Sequence, residues 1–125
     1  MKNLHSKEIA VAGVSSHPEK IGSKIFRDLL KHGLNVQGTN PSGGEVSGRK
    51  LYKSLRDLPR VPDIVITVVP PGVTERIVDE CVQMGVREIW MQPGSESDAA
   101  IQKARKYGLT VNHNACFMVH HKFWQ

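Results

Sequence analysis

The sequence predicts an α/β fold: a doubly wound parallel sheet of about five strands with helices on both faces. Three observations predict it. Strand-like and helix-like patterns alternate from end to end. The stretch Asp63 to Val69 is β-branched at nearly every position and apolar on both faces, which suits the middle of a parallel sheet. Three helical stretches end in a glycine followed at once by an apolar strand, at His32-Gly33-Leu34, Met84-Gly85-Val86 and Tyr107-Gly108-Leu109.

The first strand is Glu8-Ile9-Ala10-Val11-Ala12-Gly13, a short apolar run stopped by glycine. Ile21, Ile25, Phe26, Leu29 and Leu30 then fall on one helical stripe, closed by Gly33. Leu34 to Thr39 is a second strand. Asn40 to Pro62 is the least regular stretch, a loop with a short edge strand near Lys50-Leu51-Tyr52 and a turn of helix at Ser54 to Leu58. Pro70-Pro71-Gly72 ends the strand that begins at Asp63. Thr74 is read as the cap of a helix with the stripe Ile77, Val78, Cys81 and Val82. Val86 to Met91 is a fourth strand. The serine-to-acid spacing of Ser95-Glu96-Ser97-Asp98 suits a capping box that opens a helix to Tyr107, before the strand Leu109 to Asn112.

The 125 residues suit one domain, spanning 1–125, with a self-sufficient core. The 39% apolar and 23% charged fractions exclude a disordered chain. The longest apolar run, Ile64 to Val73, is too short and too broken by proline and glycine to span a bilayer. Met1 to Lys7 lacks the apolar stretch of a secretion signal, and two cysteines are too few for a disulfide framework, so cytoplasm is the expectation. Seventeen Lys and Arg against twelve Asp and Glu leave a net charge of +5, which suits an anionic partner or simple solubility. The basic residues are scattered and no aromatic interleaves with a basic run, which disfavours nucleic acid.

An open sheet of this kind presents its ligand crevice at the carboxyl ends of the strands, where the winding direction reverses. The reversal is expected between the first strand and Asp63–Val69, so their exit loops carry the chemistry. The first loop runs Gly13-Val14-Ser15-Ser16-His17-Pro18-Glu19-Lys20-Ile21-Gly22. Gly13 permits a tight exit, Ser15 and Ser16 offer hydroxyls and amide hydrogens, Lys20 supplies a cation, and Gly22 lets an anion approach the helix. The helix dipole alone adds about 0.3–1 kcal/mol for a phosphate there. The loop is not the dinucleotide fingerprint, because the second and third glycines of that motif would fall at Ser15 and Pro18. The second strand ends Gly38-Thr39-Asn40-Pro41, without a carboxylate for the ribose hydroxyls of NAD. A ribose that already bears a phosphate suits it better.

These residues resemble those of the small coenzyme A-binding proteins, single-domain relatives of the nucleotide-binding part of succinyl-CoA synthetase α subunits. The resemblance spans nearly the whole chain. It is carried by Ala12-Gly13-Val14-Ser15 with Lys20 and Gly22, by Gly38-Thr39-Asn40-Pro41, and by Gly48-Arg49-Lys50-Leu51-Tyr52 with Ser54-Leu55. It continues through Asp63-Ile64-Val65 with Val69-Pro70-Pro71, through Ile89 to Gly94, and to Cys116 with His120. It implies a Rossmann-like fold and coenzyme A, or an acyl-CoA, as ligand. By the same resemblance Ser15 and Ser16 hold phosphates and Asn40 and Pro41 lie along the nucleotide. Val69, Pro70 and Pro71 form an apolar wall, and Met91, Gln92 and Pro93 line the pantetheine path. Where the synthetases carry a lysine after the proline that ends the second strand, this chain has Ser42-Gly43-Gly44, so a cation there comes from Arg49 or Lys50.

No catalytic constellation stands out. The synthetases use a phosphorylated histidine on a further domain, for which 125 residues leave no room. His113, Cys116, His120 and His121 are ligand types suited to zinc, but their spacing matches no familiar pattern. Cys116 reads as a small buried residue or as a thiol near the CoA sulfur, and Cys81 as packing. The expectation is a CoA-binding carrier, sensor or regulatory module without catalysis of its own, binding neither nucleic acid nor membrane, as a monomer or homodimer. An NADP-dependent oxidoreductase and a ligand-free interaction module are the alternatives.

Overall fold

The computed structural model describes residues 3–125. Met1 and Lys2, which open the basic segment read above, lie outside them. Seven strands form one sheet in the order β3-β4-β2-β1-β5-β6-β7. In chain order they are β1 (Glu8–Ala12), β2 (Asn35–Thr39), β3 (Glu45–Val46), β4 (Arg49–Tyr52), β5 (Ile64–Thr67), β6 (Glu88–Met91) and β7 (Thr110–Asn112). Four helices accompany them: α1 (Ile21–Lys31), α2 (Pro71–Met84), α3 (Asp98–Lys106) and α4 (Phe117–His120).

Every strand pair is parallel except β3–β4. The parallel set therefore has six strands, one more than the sequence suggested, because Arg49–Tyr52 pairs in parallel with β2. β3 adds an antiparallel edge of two residues that no periodicity could announce. The winding reverses between β1 and β5, neighbours in register from Ile9↔Ile64 to Ala12↔Thr67. This Rossmann-like α/β architecture is the predicted one.

Alternation along the strands sends side chains to two separate cores. Ile9, Val11, Val36, Ile64, Ile66 and Trp90 pack with α1 and α4 on one face. Ala10, Ala12, Val65, Ile89 and Met91 pack with α2 and α3 on the other. Trp124, a C-terminal anchor, donates its indole N–H to Asp28 Oδ2 at 2.6 Å on α1.

Two helix starts differ from the predicted ones. α2 opens at Pro71, where a missing N–H costs nothing in the first turn, so Thr74 is not its cap. Thr74 is instead fully buried inside the first turns of the helix. The cap of α3 is Ser97, whose Oγ accepts the Ala100 amide hydrogen at 3.0 Å. Ser95 lies before it and is buried with other partners. The three glycines predicted to end helices do so with left-handed backbone, φ being 76° at Gly33, 82° at Gly85 and 85° at Gly108. Among the described residues no helix is long and apolar enough to cross a membrane.

Candidate functional site

The exit of β1 is fixed by close backbone packing. Gly13 has φ 107°, and a Cβ there would lie 2.2 Å from the Val68 carbonyl oxygen, so only glycine fits between the two central strand exits. A Cβ on Gly22 would lie 2.2 Å from the Gly13 carbonyl oxygen. Gly22 thus lets the first turn of α1 sit directly on the loop, a packing requirement that the reading of an anion path did not include. The loop between them is two linked turns: the His17 amide donates to Ser15 Oγ at 3.0 Å, and the Lys20 amide donates to the His17 carbonyl at 3.1 Å. The Arg27 guanidinium reaches back from α1 to the Pro18 carbonyl, which gives the His17-Pro18 segment a structural anchor.

This leaves the start of α1 open. Lys20 occupies its N-cap position and provides no side-chain cap, and no acidic residue stands in the first turn. Ser16 and Lys20 are exposed and Ser15 is half-buried beside them. The uncapped, positive end of the helix therefore lies in a loop that also carries Ser15, Ser16 and Lys20.

The exit of β2 is stapled to that loop. The Gly13 and Val14 amides both donate to the Thr39 carbonyl at 3.0 Å, and Asn40 Nδ2 donates to the Val14 carbonyl at 2.9 Å. The Asn40 side-chain oxygen accepts the Ser42 amide hydrogen at 2.8 Å, so Asn40 shapes its own turn while holding its neighbour. Pro41 follows it, exposed.

The exits of β5 and β6 frame a crevice of about 350 Å3 lined by Val68, Val69, Pro70, Pro93, Gly94 and Ser95. Val69, Pro70 and Pro93 supply apolar wall; Pro71 is exposed at the start of α2. Met91 does not belong to this lining. It ends β6 with its side chain fully buried beneath α2 and α3, because the strand alternation sends it into that core. Gln92 is also turned away from the opening. Its Oε1 accepts the Phe117 amide hydrogen at 2.6 Å and its Nε2 donates to Cys116 Sγ at 3.3 Å, capping α4.

Sequence reasoning missed the floor of this crevice. Ser95 Oγ lies 2.9 Å from Thr67 Oγ1, 3.1 Å from the Thr67 carbonyl and 2.7 Å from the Gln92 carbonyl, all buried. These bonds lock the two exits together. The Gln92-Pro93-Gly94 turn, with φ 93° at Gly94, was the signal that Ser95 folds back instead of capping.

Cys116 is half-buried at the N-cap of α4. Cys81 is buried within α2, where burial foremost, and then the Glu80 carboxylate, push its thiol up to about 12, consistent with a packing role. Among the described residues no three His, Cys, Asp or Glu side chains converge as metal ligands. A second hollow of about 340 Å3, lined by Glu8, Asn35, Arg49 and Arg60 among others, lies at the opposite end of the sheet. It is spanned by the Arg60–Glu8 ion pair at 3.2 Å and faces the amino ends of the strands, away from the switch point.

Comparison with known proteins places the chain in a family. The sequence profile of a family described as "CoA binding domain" matches residues 7–122. The α subunit of ADP-forming acetate–CoA ligase I of Pyrococcus furiosus is 31% identical over 124 residues, a match covering 86% of this chain and 27% of that subunit. The chain thus spans about a quarter of that relative's length. YneT of Bacillus subtilis, an uncharacterised protein, is 27% identical over 93% of this chain and 86% of its own. A conserved hypothetical protein of Pyrococcus furiosus has a solved structure that superposes with a TM-score of 0.86. It is 38% identical and is matched over 98% of its length and 91% of this chain.

Proposed function

This chain belongs to the CoA-binding domain family, and from that premise we propose that residues 1–125 act as one unit that binds free coenzyme A at the β1 and β5 exits. The observation that carries this reading is the uncapped start of α1, preceded by a loop in which Ser16 and Lys20 are exposed and Ser15 is half-buried. A pyrophosphate there meets amide hydrogens, hydroxyls and one cation, while the nucleotide runs along Asn40 and Pro41. Val69, Pro70, Pro71 and Pro93 give the pantetheine arm an apolar wall, and Gln92 and Met91 act from behind by holding that wall in place. Gly13 and Gly22 set the backbone path rather than touching the ligand with side chains.

The role is that of a carrier, sensor or regulatory module, in which binding and release are the whole of the activity. Ligation, the activity named for the acetate–CoA ligase relative, belongs to a subunit several times this chain's span. The two unpaired cysteines support placement in the reducing cytoplasm.

Calorimetric titration with coenzyme A tests the proposal. The Ser15→Ala/Lys20→Ala variant is expected to bind about tenfold or more weakly, since a hydrogen bond to a charged group contributes about 1.5–3 kcal/mol. Its thermal midpoint should fall only slightly, because Lys20 is exposed and the one protein hydrogen bond lost with Ser15 Oγ is a loop turn to the His17 amide outside the core. Equal affinity in parent and variant would refute the phosphate loop.

A further inference from the structure

The surface of α1 carries a charge pattern that the fold does not need. Lys24, Arg27 and Lys31 are spaced so that a helix sets them within about 60° of arc, and Lys20 at the N-cap continues the line. The stripe runs about 16 Å, from the β1 exit loop to the far end of the helix. Like charges three and four positions apart repel, and cations near a helix start oppose its dipole, so the stripe weakens the helix that carries it. The carboxylate within α1, Asp28, lies off the stripe and accepts the Trp124 indole N–H at 2.6 Å. Arg27 is held by the Ser23 and Pro18 carbonyls, which fix its position without neutralising it. Among the described residues Lys24, Arg27 and Lys31 have no ion-pair partner.

A groove of about 350 Å3 adjoins the stripe, lined by Arg27, Leu30, Lys31, Ser47 and Arg49. Its two walls are α1 and the hairpin that joins β3 to β4. Leu51 packs in the same core as Ile25, Phe26 and Leu29, so strand alternation turns Arg49 toward α1 as well and sets it on the opposite face from Lys50. Among the described residues no carboxylate lines this groove. Half-buried Leu30 gives it an apolar patch between the cations, and Ser47 adds an exposed hydroxyl.

Three kinds of anionic surface could answer such a stripe, and they make different demands. A membrane surface takes up the apolar face of an amphipathic helix, but Ile25, Phe26 and Leu29 are fully buried in the core. Single-stranded nucleic acid stacks its bases on aromatic side chains, and no Phe, Tyr or Trp lines the groove. An acidic protein segment asks for what is present: a row of cations, with room beside them for one apolar side chain.

We propose that α1 and the β3–β4 hairpin form a docking surface for a partner protein, recognised through an acidic segment whose apolar anchor seats at Leu30. The inference does not rest on the coenzyme A reading. Lys20 connects the two, since a segment docked along the stripe stands beside whatever occupies the β1 exit loop.

Fluorescence anisotropy with a labelled peptide of repeated Glu-Glu-Leu tests the surface. The proteins compared are the parent, a Lys24→Glu/Lys31→Glu variant, and an Arg105→Glu/Lys106→Glu variant that makes the same charge change on α3. The parent and the α3 variant are expected to bind alike, with an affinity that falls as salt is raised, while the stripe variant binds at least about tenfold more weakly. Serine in place of leucine in the peptide should also weaken binding to the parent. Equal weakening in both variants would reduce the attraction to net charge and overturn the surface, as would a parent that does not bind. Tighter capture of single-stranded DNA or of phosphatidylserine vesicles than of the peptide, lost in the stripe variant, would give the stripe to another class of partner and overturn it too. Lys24 and Lys31 are exposed, and reversing them relieves their repulsion with Arg27, so the stripe variant should melt at or above the parent's midpoint. A lower midpoint would mean that the stripe serves the helix itself, against the proposal.

Discussion

Gly22 shows how much a single position decides. Its missing side chain lets α1 rest on the Gly13 carbonyl, and a methyl group at 2.2 Å from a backbone oxygen cannot be relieved by a rotamer change. Gly22→Ala is expected to destabilise the protein by about 1–3 kcal/mol, read as a lowered urea midpoint. Gly72→Ala provides the contrast: a Cβ there meets nothing within 4 Å inside α2, so stability should hold or rise by a few tenths of a kcal/mol. The sequence showed that both ends of the β1 exit loop need glycine, but not why, since a tight backbone contact and an anion path have the same one-letter signature. Thr74 and Ser95 misled for a related reason. A hydroxyl near a helix start reads as a cap whether it faces the amides or the core. Met91 was placed along a ligand path because the strand was legible and its facing was not. The neighbours Trp90 and Met91 enter opposite cores.

At the scale of elements, everything with a period of several residues was readable. The β-branched run of β5, the stripe of α1 and the glycine stops each repeat one physical preference often enough to be recognised. β3 and α4 are too short for that, with two and four residues. Their existence depends on partners distant in sequence. α4 begins where the Gln92 side chain receives the Phe117 amide hydrogen, 25 positions along the chain. Gln92→Ala removes that acceptor and leaves a buried donor unsatisfied, at a cost of about 1–3 kcal/mol. Hydrogen–deuterium exchange should then show faster exchange at Phe117, while the amides of α2 and α3 keep their protection. Loss of protection across all helices alike would mean that Gln92 supports the whole fold rather than this one element.

For the molecule as a whole, the ordering of the strands gathers four exit loops at one end of the sheet and two cores behind them. That gathering was predictable from the crossover rule, because parallel strands joined through helices must all leave on the same side. What the rule could not supply is how the loops interlock, through Asn40 to Val14 and Ser95 to Thr67. A ligand that binds only this assembled edge stabilises the entire chain. Coenzyme A at a hundred times its dissociation constant should add about 2.7 kcal/mol, and the melting temperature should climb with each increment of ligand. A melting curve indifferent to coenzyme A would contradict binding at the folded edge. Three hydrogen bonds tether the β1 exit to Thr39 and Asn40. On the proposed reading, a seat braced in this way spends little of its binding energy on ordering loops, and release is set by how firmly the phosphates are held.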